Sequence, residues 1–276
     1  MMTLREVSRY FDRVPCYDPL TGDELFRGQF INYDGSRRDA FTAYRRVLSV
    51  DPDVPIPPAR CIRALGKVWV MGIDSVDGQY QAHRRKFVLQ PAHGEAQVWS
   101  LAGYLDSAAP VQTWGSIEWL IDRSEEGESS EKPAYHVAVL PQHVAMQPTD
   151  VVKVGGRILL AQAVSLAPSG FTEARGFLQT DAASPVTIQR KAFVPGTGGY
   201  AMSSQSNVPA LCLRWQELFR YESQTDLRYQ EGDDVFALPL SANMQMECEL
   251  HYQGRRFLPL ALREISGVCA VHARPA

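Results

Sequence analysis

The sequence predicts a mainly β protein of tandem small β-barrel or β-sandwich-like units, three related ones, with a short N-terminal helix. Three observations predict it. Apolar or alternating runs are short and closed by turn-forming residues. The 20 glycines and 18 prolines are spread along the chain, as many short strands require. A small device, an apolar run that turns at Gly-Arg into a second apolar run, occurs twice, about a hundred residues apart.

Composition bounds the answer. The chain has 276 residues, room for two or three domains, and 45% of them are hydrophobic, an ordinary globular share. A formal net charge of −3 argues against a surface built throughout for nucleic acid. Arginine outnumbers lysine 23 to 5, and its planar fork suits protein interfaces. The cysteines Cys16, Cys61, Cys212, Cys248 and Cys269 are odd in number and form no C-x-x-C pair. They read as reduced, buried thiols in a protein made in the cytoplasm. The N-terminus lacks the apolar core of a signal peptide. The longest near-continuous apolar run, Val68 to Ile73, is far too short to cross a bilayer.

Taken in order, Leu4, Val7, Tyr10, Phe11 and Val14 fall near a helical period, which predicts a short amphipathic helix over 3–13. A second helical pattern covers "RRDAFTAYRRVLS" (37–49). Strands are expected at "KVWVMGI" (67–73), "QAHRRKFVLQ" (81–90), "AYHVAVLP" (134–141), "RILLAQAVSL" (157–166) and "RRFLPLALREI" (255–265). Their turns are Asp77-Gly78, Gly155-Gly156, Pro168-Ser169-Gly170 and Gln253-Gly254. "DRSEEGESSEK" (122–132) reads as an exposed acidic tip, and "VPGTGGYAMSSQSNVP" (194–209) as a linker or extended loop.

The repeat sets the domain organisation. With Gly156 placed over Gly254, Leu140-Pro141 falls on Leu238-Pro239, Met146-Gln147 on Met244-Gln245 and Arg157 on Arg255, giving 8 identities in the 24 positions from Leu140 to Ala163. Gly66-Lys67 heads a fainter third copy. "ELFR" at Glu24 and Glu217, and "EWLI" at Glu118, recur upstream. Three units are expected, at 1–108, 109–205 and a shortened 206–276. The glycine supplies the positive φ of a two-residue hairpin turn, and the cation opens the next strand.

Motifs for chemistry are sparse. His83, His93, His136, His143, His251 and His272 show no metal-ligand spacing, Gly-x-Ser-x-Gly is missing, and the glycine-rich stretch lacks a Gly-Lys-Ser/Thr ending. No catalytic residue, cofactor or metal is expected. Two rival readings remain open. One is a β-rich hydrolase using a cysteine or the paired acids Asp51/Asp53 and Asp233/Asp234. The other is a carbohydrate-binding module using Trp69, Trp99, Trp114, Trp119 or Trp215. The residues expected to define the repeat are Gly66, Lys67, Gly156, Arg157, Gly254 and Arg255. Arg37, Arg38, Arg45, Arg46, Arg84, Arg85 and Lys86 are expected to face other subunits or DNA.

"VKVGGRILLAQAV", "HYQGRRFLPLAL" and "RALGKVWVMGI" give this chain its resemblance to the small barrel units of tailed-bacteriophage neck and tail proteins, above all the stopper-type head–tail joining family. The resemblance implies a non-enzymatic virion part that forms a homo-oligomeric ring with portal, adaptor or tail proteins. It implies further a non-specific contact with DNA in a channel, no membrane partner, and a place in the virion after synthesis in the host cytoplasm.

Overall fold

The computed structural model describes residues 13–32, 45–74, 84–120, 135–179, 183–194, 196, 198–213 and 232–276. The helix expected over 3–13 lies almost wholly outside them. So do the acidic stretch 122–132, the Asp77-Gly78 turn and residues 37–44.

The described strands close into three six-stranded barrels. Barrel 1 holds β1 (Val14–Tyr17), β2 (Glu24–Asn32), β3 (Arg46–Val50), β4 (Cys61–Ala64), β5 (Lys67–Asp74) and β6 (Arg85–Pro91). Barrel 2 holds β7 (Gly94–Trp99), β8 (Val111–Leu120), β9 (Tyr135–Pro141), β10 (Val151–Val154), β11 (Arg157–Leu166) and β12 (Phe171–Gln179). Barrel 3 holds β13 (Ser184–Val194), β14 (Gly199–Leu213), β15 (Asp234–Pro239), β16 (Glu249–Tyr252), β17 (Arg255–Ile265) and β18 (Val268–Pro275). With the strands of each barrel lettered A to F in chain order, all three run A-B-C-F-E-D around the wall, and D closes on A. Every neighbouring pair is antiparallel.

The repeat is one of backbone geometry as well as letters. The D–E hairpin turns at Leu65-Gly66, Gly155-Gly156 and Gln253-Gly254, and both residues of each pair have positive φ. That is the primed turn that matches strand twist. Glycine takes the second place each time because a Cβ is disfavoured there. Before the hairpin, Arg60, Asp150 and Cys248 each donate a backbone N–H to the carbonyl three residues back, at 2.9, 3.1 and 3.1 Å. A bulge then interrupts strand E after Met71, Ala161 and Pro259. Counted from the turn glycine, these are one position. In barrels 1 and 2 its N–H reaches the Arg60 or Asp150 carbonyl, at 2.8 and 2.9 Å. Barrel 3 has proline there, a residue that a bulge tolerates and a regular ladder does not.

The unit seams differ from those expected. Strand pairing begins the units at Val14, Gly94 and Ser184, upstream of 109 and 206, and the third has its full six strands. The "ELFR" and "EWLI" segments misplaced the seams. Glu24 opens strand B of barrel 1, whereas Glu118 stands near the far end of strand B in barrel 2. The expected linker 194–209 is largely β14. It pairs with β13 from Ser184↔Ala210 to Val194↔Gly199. A ribbon wet on both faces has no apolar alternation to announce it. Likewise Arg46–Val50, inside the expected helix 37–49, is a strand held between β2 and β6.

Each barrel encloses its own core. Leu48, Ile62, Trp69 and Phe87 fill the first. Val98, Leu140, Val152 and Leu159 fill the second. Ile188, Phe236, Leu250 and Phe257 fill the third, with Phe236 edge-on to both Tyr252 and Phe257.

Candidate functional site: a repeated barrel-to-barrel contact

Barrel 1 meets barrel 2, and barrel 2 meets barrel 3, through the same pair of faces. At the first junction Cys61 and Val70, on strands D and E, pack with Val137 and Val139 on strand C of the next barrel, and with Ala167 and Phe171 beside its E–F turn. At the second junction the D and E places hold Val151 and Leu160. The C places hold Val235 and Ala237, and Ile265 and Val268 flank the E–F turn. Aligned on the turn glycines and the C–F pairing, the two sets coincide position for position. At each junction the earlier barrel offers its D–E face and the later barrel its C–F face, which makes the contact heterologous.

The details differ. At the first junction the E–F turn of barrel 2 presses onto β5 so closely that a Cβ on Gly72 would come 2.0 Å from the Ser169 carbonyl oxygen. At the second, helix α1 (Leu101–Leu105), between strands A and B of barrel 2, adds fully buried Leu101 and Leu105. Ser100 caps it by accepting the Gly103 N–H at 3.1 Å. The Thr149 and Ser266 hydroxyls bond across this junction at 2.6 Å.

A polar seam runs through the first junction. Arg45, 1% exposed, donates from Nε to Gln90 Oε1 at 3.0 Å and from Nη2 to Glu173 Oε1 at 3.4 Å, and its guanidinium lies 5.2 Å from the Phe171 ring centre. Gln90 Nε2 donates to Glu118 Oε1 at 3.3 Å, which His93 Nε2 meets at 3.0 Å. The hydrogen bond to Glu118 raises the His93 pKa above its ordinary value although burial opposes it. His93 also borders a cleft of about 390 Å³ with Ile117, Val154, Gly155 and Arg157. Beside it Trp119, 64% exposed, stacks on His136 with ring centres 6.0 Å apart. Burial, and then Arg157, lower the His136 pKa.

The residues singled out from sequence divide accordingly. Gly66, Gly156 and Gly254 occupy the three D–E turns, and Lys67, Arg157 and Arg255 open strand E exposed to solvent. Arg37 and Arg38 lie outside the described residues. Arg45, expected to face outward, is buried instead, because its place just before β3 points it into the seam toward Glu173. Arg46 is half-buried on β3. Arg84 donates to Gln29 Oε1 at 3.3 Å and lies 3.9 Å from Asp51, while Arg85 donates to the Val54 carbonyl at 3.3 Å. Lys86 is exposed. Arg85 lies on the side of β6 that carries Phe87, its guanidinium 5.1 Å from that ring centre.

One acid of each pair weighed for chemistry is engaged in structure. Asp51 takes Arg13 at 2.9 Å. Asp233 is gripped by Arg274 at 2.7 and 2.9 Å and by His272 Nε2 at 3.0 Å. Desolvation pushes the Cys16 and Cys61 thiols up to about 12 and raises Cys269 as well, which disfavours the reactive thiolate. Among the described residues no three of His, Cys, Asp and Glu converge as a metal-binding group. Trp69 is buried, Trp99 and Trp114 are half-buried, and Trp215 lies outside the described residues. Sequence reasoning missed the barrel-to-barrel faces. Their signal was present: strand E reads as an unbroken apolar run over Val68–Ile73 in unit 1 and Ile158–Ala161 in unit 2, as strands covered on both faces do.

No family model, curated protein or solved structure matches the chain.

Proposed function

We propose that this chain is a non-enzymatic structural component of a tailed-bacteriophage virion, part of the head–tail connector or of the tail, where it helps form a ring around a DNA passage. The observation that carries the reading is the head-to-tail repetition of one contact. Three barrels of one topology, joined twice through the same faces, form a building unit whose elaborated surfaces are for packing. Each barrel carries its turn cation outward, at Lys67, Arg157 and Arg255. The sequence resemblance to stopper-type barrels adds the biological setting. Portal, adaptor or tail proteins are the partners this implies, with the virion as location and the host cytoplasm as place of synthesis.

The test is direct. Purified protein examined by analytical ultracentrifugation and electron microscopy should form closed oligomers or join a ring-shaped portal or tail partner. Mass spectrometry of purified phage particles should find the chain in the virion. Monomers at every concentration, together with its absence from particles, overturn the reading.

One observation favours a second reading, carbohydrate binding: Trp119 is exposed and stacked on His136 beside the Arg157 cleft. Glycan-array binding lost on Trp119→Ala would favour it over the assembly role.

A further inference from the structure

We infer that the barrel-to-barrel contact is used a third time, between chains: the D–E face of barrel 3 in one copy docks on the C–F face of barrel 1 in a second copy. This rests on the assembly reading and specifies its surfaces. A heterologous contact leaves one unmatched half at each end of a row. Here the two unmatched halves belong to one polypeptide, so a second copy is the occupant that continues the established interface.

The two end halves can be named by position; on barrel 1 the second C place, that of Val139 and Ala237, holds Ser49, which is buried within the chain. Where barrels 1 and 2 carry Cys61 or Val151, barrel 3 carries Glu249; where they carry Val70 or Leu160, it carries Leu258, 41% exposed. On the other half, Val47 stands where Val137 and Val235 stand, and Ile31, 41% exposed, where Glu118 and Leu213 stand. Lys86 takes the strand F place of Glu173 and Ala270.

The A–B connection reinforces the match. In barrel 2 that connection is α1, which fills the contact with barrel 3. In barrel 3 it is the β13–β14 ribbon. β13 pairs with β16 only over Thr187–Gln189, and β14 with β15 only over Leu211–Leu213, so the ribbon projects beyond the barrel wall. Tyr200 and Met202, 73% and 54% exposed, lie on one face of it with Lys191, which reaches Glu249 at 3.5 Å. A two-stranded ribbon is marginal in water by itself, and this one is tied at its base to the face that lacks a partner.

Both end faces carry charge of both signs: Glu249 with Lys191 and Arg256 at 3.8 Å on one, Asp51 with Arg84 and exposed Lys86 on the other. A face exposed before docking must stay soluble, and interfaces between separately folded chains are as polar as ordinary surface. The association is therefore reversible and weakened by salt. Every chain adds three barrels, so the number of barrels in a closed ring is a multiple of three.

An equimolar mixture of isotope-labelled and unlabelled wild-type protein, treated with an amine-reactive cross-linker, tests this by mass spectrometry. Lys86 and Lys191 lie on barrels 1 and 3, with barrel 2 between. A Lys86–Lys191 link of mixed isotope composition is expected. In parallel, Leu258→Cys and Val47→Cys proteins, mixed and treated with a short bis-maleimide, should give a covalent dimer absent from either alone and from wild type. Replacing residues 191–203 by a two-residue turn should weaken association at least tenfold by ultracentrifugation. Oligomers that form without either cross-link overturn the assigned surfaces and leave the assembly reading standing. A chain that stays monomeric shows instead that the polar ends are caps, as in repeat proteins; the third contact then falls, and the assembly reading is decided by whether phage particles contain the chain.

Discussion

Arg45 ties barrel 1 to barrel 2 from a position closed to solvent. Its partners, Gln90 and Glu173, come from different barrels, so losing it removes a buried cation from beside the Glu173 carboxylate. Arg45→Ala should destabilise the protein by about 3–5 kcal/mol, and Arg46→Ala, one residue on and half-buried, by less than about 1 kcal/mol. Urea unfolding of both separates a buried ion pair from a surface cation, and equal losses would refute the distinction. His93 gives the same seam a pH dependence. Its pKa is raised in the fold by the Glu118 hydrogen bond, so the folded state holds the proton more tightly than the unfolded state does. The stabilisation is complete below the unfolded value near 6.5 and is lost as pH rises through the raised one. An NMR titration should place His93 above 6.5, and Glu118→Gln should bring it down. An unshifted His93 would remove the switch. None of these partnerships was legible in sequence, since Arg45 and Glu173 are joined by folding alone, 128 residues apart.

Elements were more legible, and the reason is local. β11 and β17 fall on the residues their apolar runs mark out, because a tight turn fixes where each begins. The end of the helix expected over 37–49 gave way to β3, where pairing on both edges overrides the local helical pattern. Turn chemistry makes the hairpins testable. A primed turn favours Asn-Gly, yet barrel 1 uses Leu65-Gly66, with Leu65 at φ +54° and 57% exposed. Leu65→Asn should stabilise by about 0.5–1 kcal/mol. Gly254→Ala, at φ +76° with no atom within 4 Å of the added Cβ, should cost about 1–2 kcal/mol through the backbone alone. Thermal melts of the two variants should move in opposite directions. A neutral Gly254→Ala would mean that the turn does not need its left-handed residue.

At the scale of the molecule, the threefold repeat was legible because the Gly-cation turn and the strand E run keep their spacing in all three units, and the Leu-Pro pair keeps its own in the last two. The seams were not, because the first strand of each unit carries no such mark. The faces that join the barrels came between these extremes. "VVKV" puts valine on both sides of strand D, whereas "ELHY" alternates and puts Glu249 on the outer side, and that difference separates a barrel with a neighbour from one whose D–E face is bare. It predicts how the molecule unfolds. Leu160 is fully buried and points from β11 into the cluster shared with barrel 3, while its neighbour Leu159 points into the core of barrel 2. With Val235, Ala237, Leu101 and Leu105 around it, Leu160 couples two barrels that each have a core of their own. The wild-type chain should therefore melt in one calorimetric transition. Leu160→Asp, by placing an unpaired charge in the junction, should split it in two, with hydrogen exchange rising across β14, β15 and the E–F turn at Ser266-Gly267 but not inside barrel 1. A single transition that merely moves to lower temperature would mean that barrel 3 cannot stand without its neighbour, and that the junction belongs to one continuous core.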